Sequence, residues 1–308
     1  MTPLDVVARS DGSAEIDADG ARVRLTNLER VIWPAAGFTK RDALRYYARV
    51  APVLLPHVEG RPLTLRRSPG GVDARVWYQN NCPAPPPWLR VHPVPKAGGD
   101  GAFRCCVIDG VASLLWVVNA GSYELHPLPG RADALDDPLA LVFDLDPGPL
   151  VSVARTSGVA LLVRDELGRA GLRASVKTSG AGGLHVCAPV SGTSFEACKA
   201  FARALAERLA RMRPDDVTAR ATRAERAGKV LVDWRQNSML RSTAAPYSLR
   251  ITSWPLVSAP MSWDEVERVA GGGRAALAFG PHRTLARVAH RGDEFAGVLR
   301  RHGRARSA

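Results

Sequence analysis

Leu141-Val142-Phe143-Asp144-Leu145-Asp146-Pro147-Gly148 is the stretch that decides the fold. Side chains alternate between the faces of a strand, so Leu141, Phe143 and Leu145 share one face while Asp144 and Asp146 share the other. The two acids then stand with their Cα atoms roughly 7 Å apart. Two carboxylates at the end of an apolar strand repel each other and lose hydration, and a divalent cation relieves both costs. Oxygen ligands with room for water and phosphate suit Mg2+ or Mn2+. An exposed strand end with two solvated acids is the plainer explanation, and Asp-x-Asp alone does not decide between them. Asp233 adds weight. It lies inside Lys229-Val230-Leu231-Val232-Asp233-Trp234, a second apolar run, where an unpaired carboxylate is costly. A structural ion pair with Arg226 or Arg235 is the alternative there.

The chain around this strand has a regular rhythm. A helix is expected over about 151–170, closing at Gly171. Strands follow over 174–178 and 184–188, joined by Ser179-Gly180-Ala181-Gly182-Gly183. A helix then begins near Thr193, with Glu196 completing a capping box. Its apolar face carries Cys198, Phe201, Ala202, Leu205, Leu209 and Met212. A strand over 230–234 completes the order β-α-β-β-α-β. This is a split βαβ, ferredoxin-like unit, in which the strand of Asp233 can lie beside that of Asp144 and Asp146. Three acids and two metals would suit in-line phosphoryl transfer.

Upstream, residues 1–24 read as an arm or edge strand. Thr39, answered by Asp42, caps a helix whose Leu44, Tyr47, Ala48 and Ala51 share a face and which Pro52 and Pro56 close. Residues 79–101 read as an irregular loop. A break over 127–137 separates an N-terminal module, 25–135, from a catalytic module with a C-terminal extension, 136–290. Ser262 and Glu265 cap a short helix. The last helix runs on into a basic tail, 291–308.

Composition sets limits. The chain has 308 residues, 46% hydrophobic and 23% charged, which fits a soluble globular fold rather than disorder. Its net charge of +12 suits a polyanionic partner such as nucleic acid. The five cysteines, Cys82, Cys105, Cys106, Cys187 and Cys198, are odd in number and form no Cys-x-x-Cys pair. Neither a disulfide framework nor a zinc site is expected; they read as buried reduced thiols of a cytoplasmic protein. No apolar run approaches the ~18–20 residues of a membrane span.

The motifs together resemble the archaeo-eukaryotic primase superfamily, and specifically the polymerase domain of bacterial ATP-dependent ligase D. The resemblance rests on Leu141–Gly148, on Lys177-Thr178-Ser179-Gly180 with Gly183-Leu184-His185-Val186, and on Val232-Asp233-Trp234-Arg235-Gln236-Asn237. It extends through Leu25–Arg30, Trp33-Pro34, Thr39-Lys40, Tyr46-Tyr47-Ala48, Gly60-Arg61-Pro62, Glu124-Leu125-His126 and Ala245–Arg250, covering about residues 20–290. It implies an α+β primase-type catalytic fold, an N-terminal α/β module packed against an RRM-like module. It implies Asp144, Asp146 and Asp233 as ligands of a two-metal Mn2+ or Mg2+ site. His126, Ser179, His185, Arg226 and Arg250 become contacts to a nucleoside triphosphate. Arg30 and Lys40 match a pocket for a DNA 5′-phosphate, Arg66 and Arg67 a template-backbone contact, and Trp77 and Tyr78 an aromatic position suited to base stacking. Without the resemblance, those two aromatics read as core residues and Ser179 and His185 as parts of a plain β-turn. The implied activity is extension of 3′ ends, with ribonucleotides preferred, in non-homologous end joining alongside Ku and a ligase.

Two positions depart from the family pattern. Gly182 stands where the usual Ser-Gly-Gly-Lys-Gly-Leu-His turn has lysine, and Asn80 stands where lysine is frequent. No ligase or nuclease module fits in the remaining residues, so a stand-alone polymerase is expected unless the chain has been excised from a longer protein; a monomer in the bacterial cytoplasm, associated with the nucleoid, is expected as well. A weakened module that binds DNA ends without extending them is the first rival. A sugar-nucleotide transferase, which also uses Asp-x-Asp with Mn2+, is the second; the positive charge and Asp233 speak against it.

Overall fold

Short strands with alternating buried and exposed side chains build the N-terminal half. The structure is a computed structural model that describes residues 7–8, 13–180, 182–273 and 277–300. Strands β1 (Val7–Ala8), β2 (Ala14–Ala18) and β3 (Ala21–Leu25) form an antiparallel sheet. Ile16 and Val23 point into the core, so the residues from 14 onward are a packed hairpin rather than an arm. A two-stranded ribbon, β4 (Val31–Trp33) and β5 (Phe38–Thr39), leads into helix α1 (Lys40–Val58). Thr39 and Asp42 form the expected capping box. The helix does not stop at proline. Pro52 and Pro56, four residues apart, share its exposed side, while Val50, Ala51, Leu54 and Val58 are buried. Packing of that buried face outweighs the lost backbone bonds.

Strands β6 (Leu63–Arg67) and β7 (Trp77–Gln79) pair antiparallel. Strands β8 (Val91–Pro95) and β9 (Ala102–Cys106) make a separate ribbon. After helix α2 (Val111–Asn119), strand β10 (Ser122–Pro127) returns to pair with β6. Cys82 is disulfide-bonded to Cys106, which corrects the expectation of five reduced thiols. The pairing was hidden by a separation of 24 residues. The loop after β7 folds back on β9, where Cys82 N donates to Arg104 O at 2.7 Å and Arg104 N donates to Asn81 Oδ1 at 2.8 Å. Cys105, Cys187 and Cys198 are buried free thiols.

The second half is organised by one six-stranded sheet. Its elements are β11 (Ala140–Pro147), α3 (Val153–Arg169), β12 (Ser175–Thr178), β13 (Leu184–Pro189), α4 (Phe195–Met212), β14 (Val217–Thr218), the single-turn α5 (Arg223–Arg226) and β15 (Val230–Asp233). The hairpin β16 (Leu249–Ile251) and β17 (Pro255–Val257) precedes β18 (Pro260–Met261), α6 (Trp263–Ala270) and α7 (Pro281–Arg291). Strand order is β14-β15-β11-β13-β12-β18. Within it, β15-β11-β13-β12 is the order of a split βαβ unit, as the sequence rhythm requires.

Helices α3 and α4 pack on the face of β11 that carries Leu141, Phe143 and Leu145, all buried. Helix α4 starts one residue later than expected, with Ser194 accepting from Ala197 N as the cap. Phe201 and Met212 are exposed at 37% and 50%, so its buried stripe is narrower than expected. Ser262 and Glu265 form the capping box of α6 as expected. Helix α7 ends at Arg291, before Gly292, instead of running into the C-terminus. Asp293 then bonds His57 and Tyr247, and Phe295 is buried. Residues 301–308, the rest of the expected basic tail, lie outside the described residues. One hydrophobic cluster extends from Ala14 to Phe279 and so joins both halves.

Candidate active site

Four polar residues form a row across the central sheet. Asp144 lies opposite Asp233 on one side and opposite His185 on the other, and His185 lies opposite Lys177. Directly opposed residues share a face, so Asp233, Asp144, His185 and Lys177 all project from the face not covered by α3 and α4. Asp146, two residues beyond Asp144, joins them. Lys177 is fully buried; its Nζ lies 2.9 Å from His185 Nδ1 and donates to Ser258 Oγ at 2.8 Å. With Nδ1 accepting, the His185 proton sits on Nε2, which faces Asp144 Oδ1 at 3.2 Å but outside hydrogen-bonding geometry. Asp144 Oδ1 is therefore a buried oxygen whose one near donor, His185 Nε2, is poorly aligned.

The charges are mutually dependent. Burial would raise the Asp144 carboxyl, but His185 and Lys177 outweigh it and hold the group below the usual range. Burial, followed by the charges of Asp144 and Asp233, pushes Asp146 up to about 6. Arg226 Nη2 lies 4.0 Å from Asp146 Oδ2. Gly148 permits this closeness, because a Cβ there would lie 1.8 Å from Arg226 O. Asp233 is turned aside: its Oδ1 accepts from Arg235 N at 3.0 Å and Arg235 Nη1 at 3.2 Å, and its Oδ2 lies 3.5 Å from Gln236 Nε2. As they stand, no three His, Cys, Asp or Glu groups among the described residues converge tightly enough to share an ion.

A polar cleft of about 480 Å3 opens over Asp144 and His185; Asp233 and Lys177 are not among its lining residues. Asp144, Asp146, Ser179, His185, His126, Tyr78, Asn80 and Arg250 line it, with Gln236 and Arg241. Ser179 Oγ accepts from Gly183 N at 3.0 Å, which closes the turn. Gly180, at φ +74°, is needed there; a Cβ would strike Arg250 Cγ at 2.4 Å. Sequence reasoning did not assign a role to Glu124, the hub of this wall. It is fully buried and meets His126 Nε2 at 2.6 Å, Arg66 Nη1 and Ile251 N at 2.8 Å, and Arg250 Nη2 at 3.2 Å. Burial opposes its charge, but His126, Arg250 and Arg66 together draw it down to about 2. Burial pushes His126 below its ordinary range, with the two arginines adding to it and Glu124, hydrogen-bonded to Nε2, opposing it. An acid within the apolar run Ser122–Leu125 was the available signal, and it is the same signal that singled out Asp233. Arg241 was also missed; it is exposed and followed by Ser242 and Thr243, which share the cleft wall.

A domain model described as the LigD primase-polymerase domain matches residues 39–295. The chain belongs to the LigD primase-polymerase family. LigD of Mycobacterium tuberculosis, a multifunctional non-homologous end joining DNA repair protein, is 40% identical over 260 residues, 81% of this chain and 34% of that protein. LigD of Pseudomonas aeruginosa is 30% identical over 296 residues, 94% of this chain and 34% of its own length. The solved polymerase domain of M. tuberculosis ligase D, in complex with DNA, matches with a TM-score of 0.84 and 37% identity, covering 90% of this chain and 98% of that one. The chain thus spans about a third of the curated LigD proteins' length, and its α+β primase-type fold is theirs. No helix among the described residues is long and apolar enough to cross a membrane.

The remaining positions of this LigD-family chain fall into two groups. Lys40 is buried, and burial with Arg30 nearby lowers its ammonium to about 8. Arg30 Nη1 donates to Pro69 O at 3.0 Å. Among the described residues neither cation pairs with a carboxylate, so the two together favour an anion. Arg66 and Arg67 are engaged internally instead of reaching outward as expected. Arg66 holds Glu124; Arg67 donates to Ala120 O and Gln79 Oε1 and covers the Trp77 ring at 5.3 Å. Trp77 is half-buried and Tyr78 is 61% exposed, which corrects the reading of both as core. Tyr78 stands edge-on to His126 with ring centroids 5.6 Å apart.

Proposed function

We propose that this chain adds nucleotides, ribonucleotides in preference, to DNA 3′ ends by two-metal phosphoryl transfer, in end joining or gap filling. The observation that carries the reading is the direct opposition of Asp144 and Asp233 with Asp146 on the same face, Asp144 and Asp146 lining a cleft whose other polar groups suit a triphosphate. The donors are all carboxylate oxygens, one of them buried with only a poorly aligned imidazole nearby, and this set fits Mg2+ or Mn2+. Ions held by these acids would supply charge neutralisation at the attacking 3′-hydroxyl and the leaving pyrophosphate.

The chain's own residues would do the rest. Arg226 and Arg250 each keep a buried Nε without a hydrogen-bond partner beside the acids and can clamp phosphate oxygens. His185, with its proton on Nε2, and Ser179 can hold the triphosphate against the glycine turn. Neutral His126, fixed by Glu124, would orient the sugar end, and exposed Tyr78 would stack on a base. Arg30 and Lys40 would take the 5′-phosphate of the downstream strand. Ku and a ligase are the partners this reading implies.

Incubation of the chain with Mn2+, ribonucleoside triphosphates and gapped, 5′-phosphorylated DNA tests the proposal. Primer extension is expected, falling about a thousandfold or more in Asp144→Ala. Gly182 supports a second reading, because it leaves the turn without the cation that the family's lysine would supply. End binding without incorporation would favour that weakened module.

A further inference from the structure

Arg235 is placed where a metal would compete with it. Its backbone N–H and its Nη1 both donate to Asp233 Oδ1, at 3.0 and 3.2 Å. The guanidinium also lies over the Trp234 ring at 4.8 Å, on the same ring that Arg203 covers at 5.5 Å and Lys199 at 6.0 Å. Trp234 thus holds Arg235 beside Asp233 and gives it a second resting place at no cost in reach. Asp144, directly across the sheet, has the imidazole of His185 at 3.2 Å from its Oδ1, whereas both Asp233 oxygens face donors from the residues that follow it, one of them a guanidinium. One side of the acid row meets an imidazole, and the other is occupied by a guanidinium.

We propose that Arg235 is a built-in competitor for the divalent ion at Asp233, so that full metal binding requires its guanidinium to leave that carboxylate and rest on Trp234 alone. The inference depends on Asp144, Asp146 and Asp233 being the metal ligands. It makes this chain's metal affinity weaker than its acids alone would give, and it places the weakness at the Asp233 side of the site. A bidentate ion pair that merely aimed Asp233 at the metal would have the opposite effect, since loosening it would lower affinity.

Calorimetric titration of Mn2+ into the full chain, with the electron paramagnetic resonance signal of free Mn2+ as a second readout, separates the two. Arg235→Gln removes the charge at a partly exposed position and should tighten Mn2+ binding about three- to tenfold. Arg235→Lys keeps the charge and should stay near the unaltered chain. Asp144→Asn should abolish the tight binding in every background. Unchanged or weaker binding in Arg235→Gln, with Asp144→Asn still abolishing it, would overturn the competition alone. Mn2+ binding that survives both Asp144→Asn and Asp233→Asn would remove the metal site, and the competition with it.

Discussion

Glu124 shows how a single side chain can hold one wall of the cleft together. It is a carboxylate with no solvent exposure that orients His126, Arg66 and Arg250 at once. Its pKa is depressed from 4.5 to about 2, so its contribution to stability is complete above pH 4.5 and is lost as pH falls through 2. The loss should amount to about 3 kcal/mol across that window. Glu124→Gln should flatten the pH dependence of urea unfolding there by a similar amount. The same variant should lower kcat/KM for nucleotide addition about tenfold or more, because His126 and Arg250 lose their fixed positions. Lys40 permits a separate test. Lys40→Ala should bring the affinity for 5′-phosphorylated DNA down to that for 5′-hydroxyl DNA in a fluorescence anisotropy titration, and equal losses for both would place Lys40 outside the phosphate pocket. Asp144, Asp146 and Asp233 stood out in the sequence because a charged residue within an apolar run demands an explanation, whereas Glu124, with the same signal, was passed over. The internal engagement of Arg66 and Arg67 was not legible, since it depends on β10 and on the residues joining α2 to β10 folding back across β6.

At the scale of elements, local signals worked where the physics was local. The alternation in β11 and the capping boxes at Thr39 and Ser262 each depend on neighbours within a few residues. Helix α1 shows the limit of such signals. Proline lacks the donor that a helix interior uses, yet its two prolines face solvent while the opposite side packs against the core, and no local rule weighs those terms. The Cys82–Cys106 link was equally hidden, being a contact between a loop and a strand that only the fold brings together. Closing a loop of that length restricts the unfolded chain, so Cys82→Ser, or full reduction, should lower unfolding free energy by about 2–4 kcal/mol. Denaturant melts with and without a reducing agent measure this; coincident curves would mean the thiols are unpaired in solution.

At the scale of the whole molecule, the net charge of +12 and the unpaired cations at Arg30 and Lys40 make a long-range prediction. Binding to a gapped duplex should weaken steeply with salt as condensed counterions are released, and a flat log–log plot would place the basic residues away from the DNA. The irregular chain between β10 and β11 was legible from its prolines and acids, but the packing of the residues before it against those after it was not. Tyr46 donates its phenol to Tyr247 O at 2.7 Å, and Tyr47 donates to Tyr123 O at 2.6 Å beside Ser248. These two adjacent phenols rivet the first long helix to chain made some 201 residues afterwards. A ribosome must therefore have passed residue 248 before that helix can seat. Severed within the 127–137 break, each piece should stay molten by itself, and mixing the pieces should restore one shared melting transition.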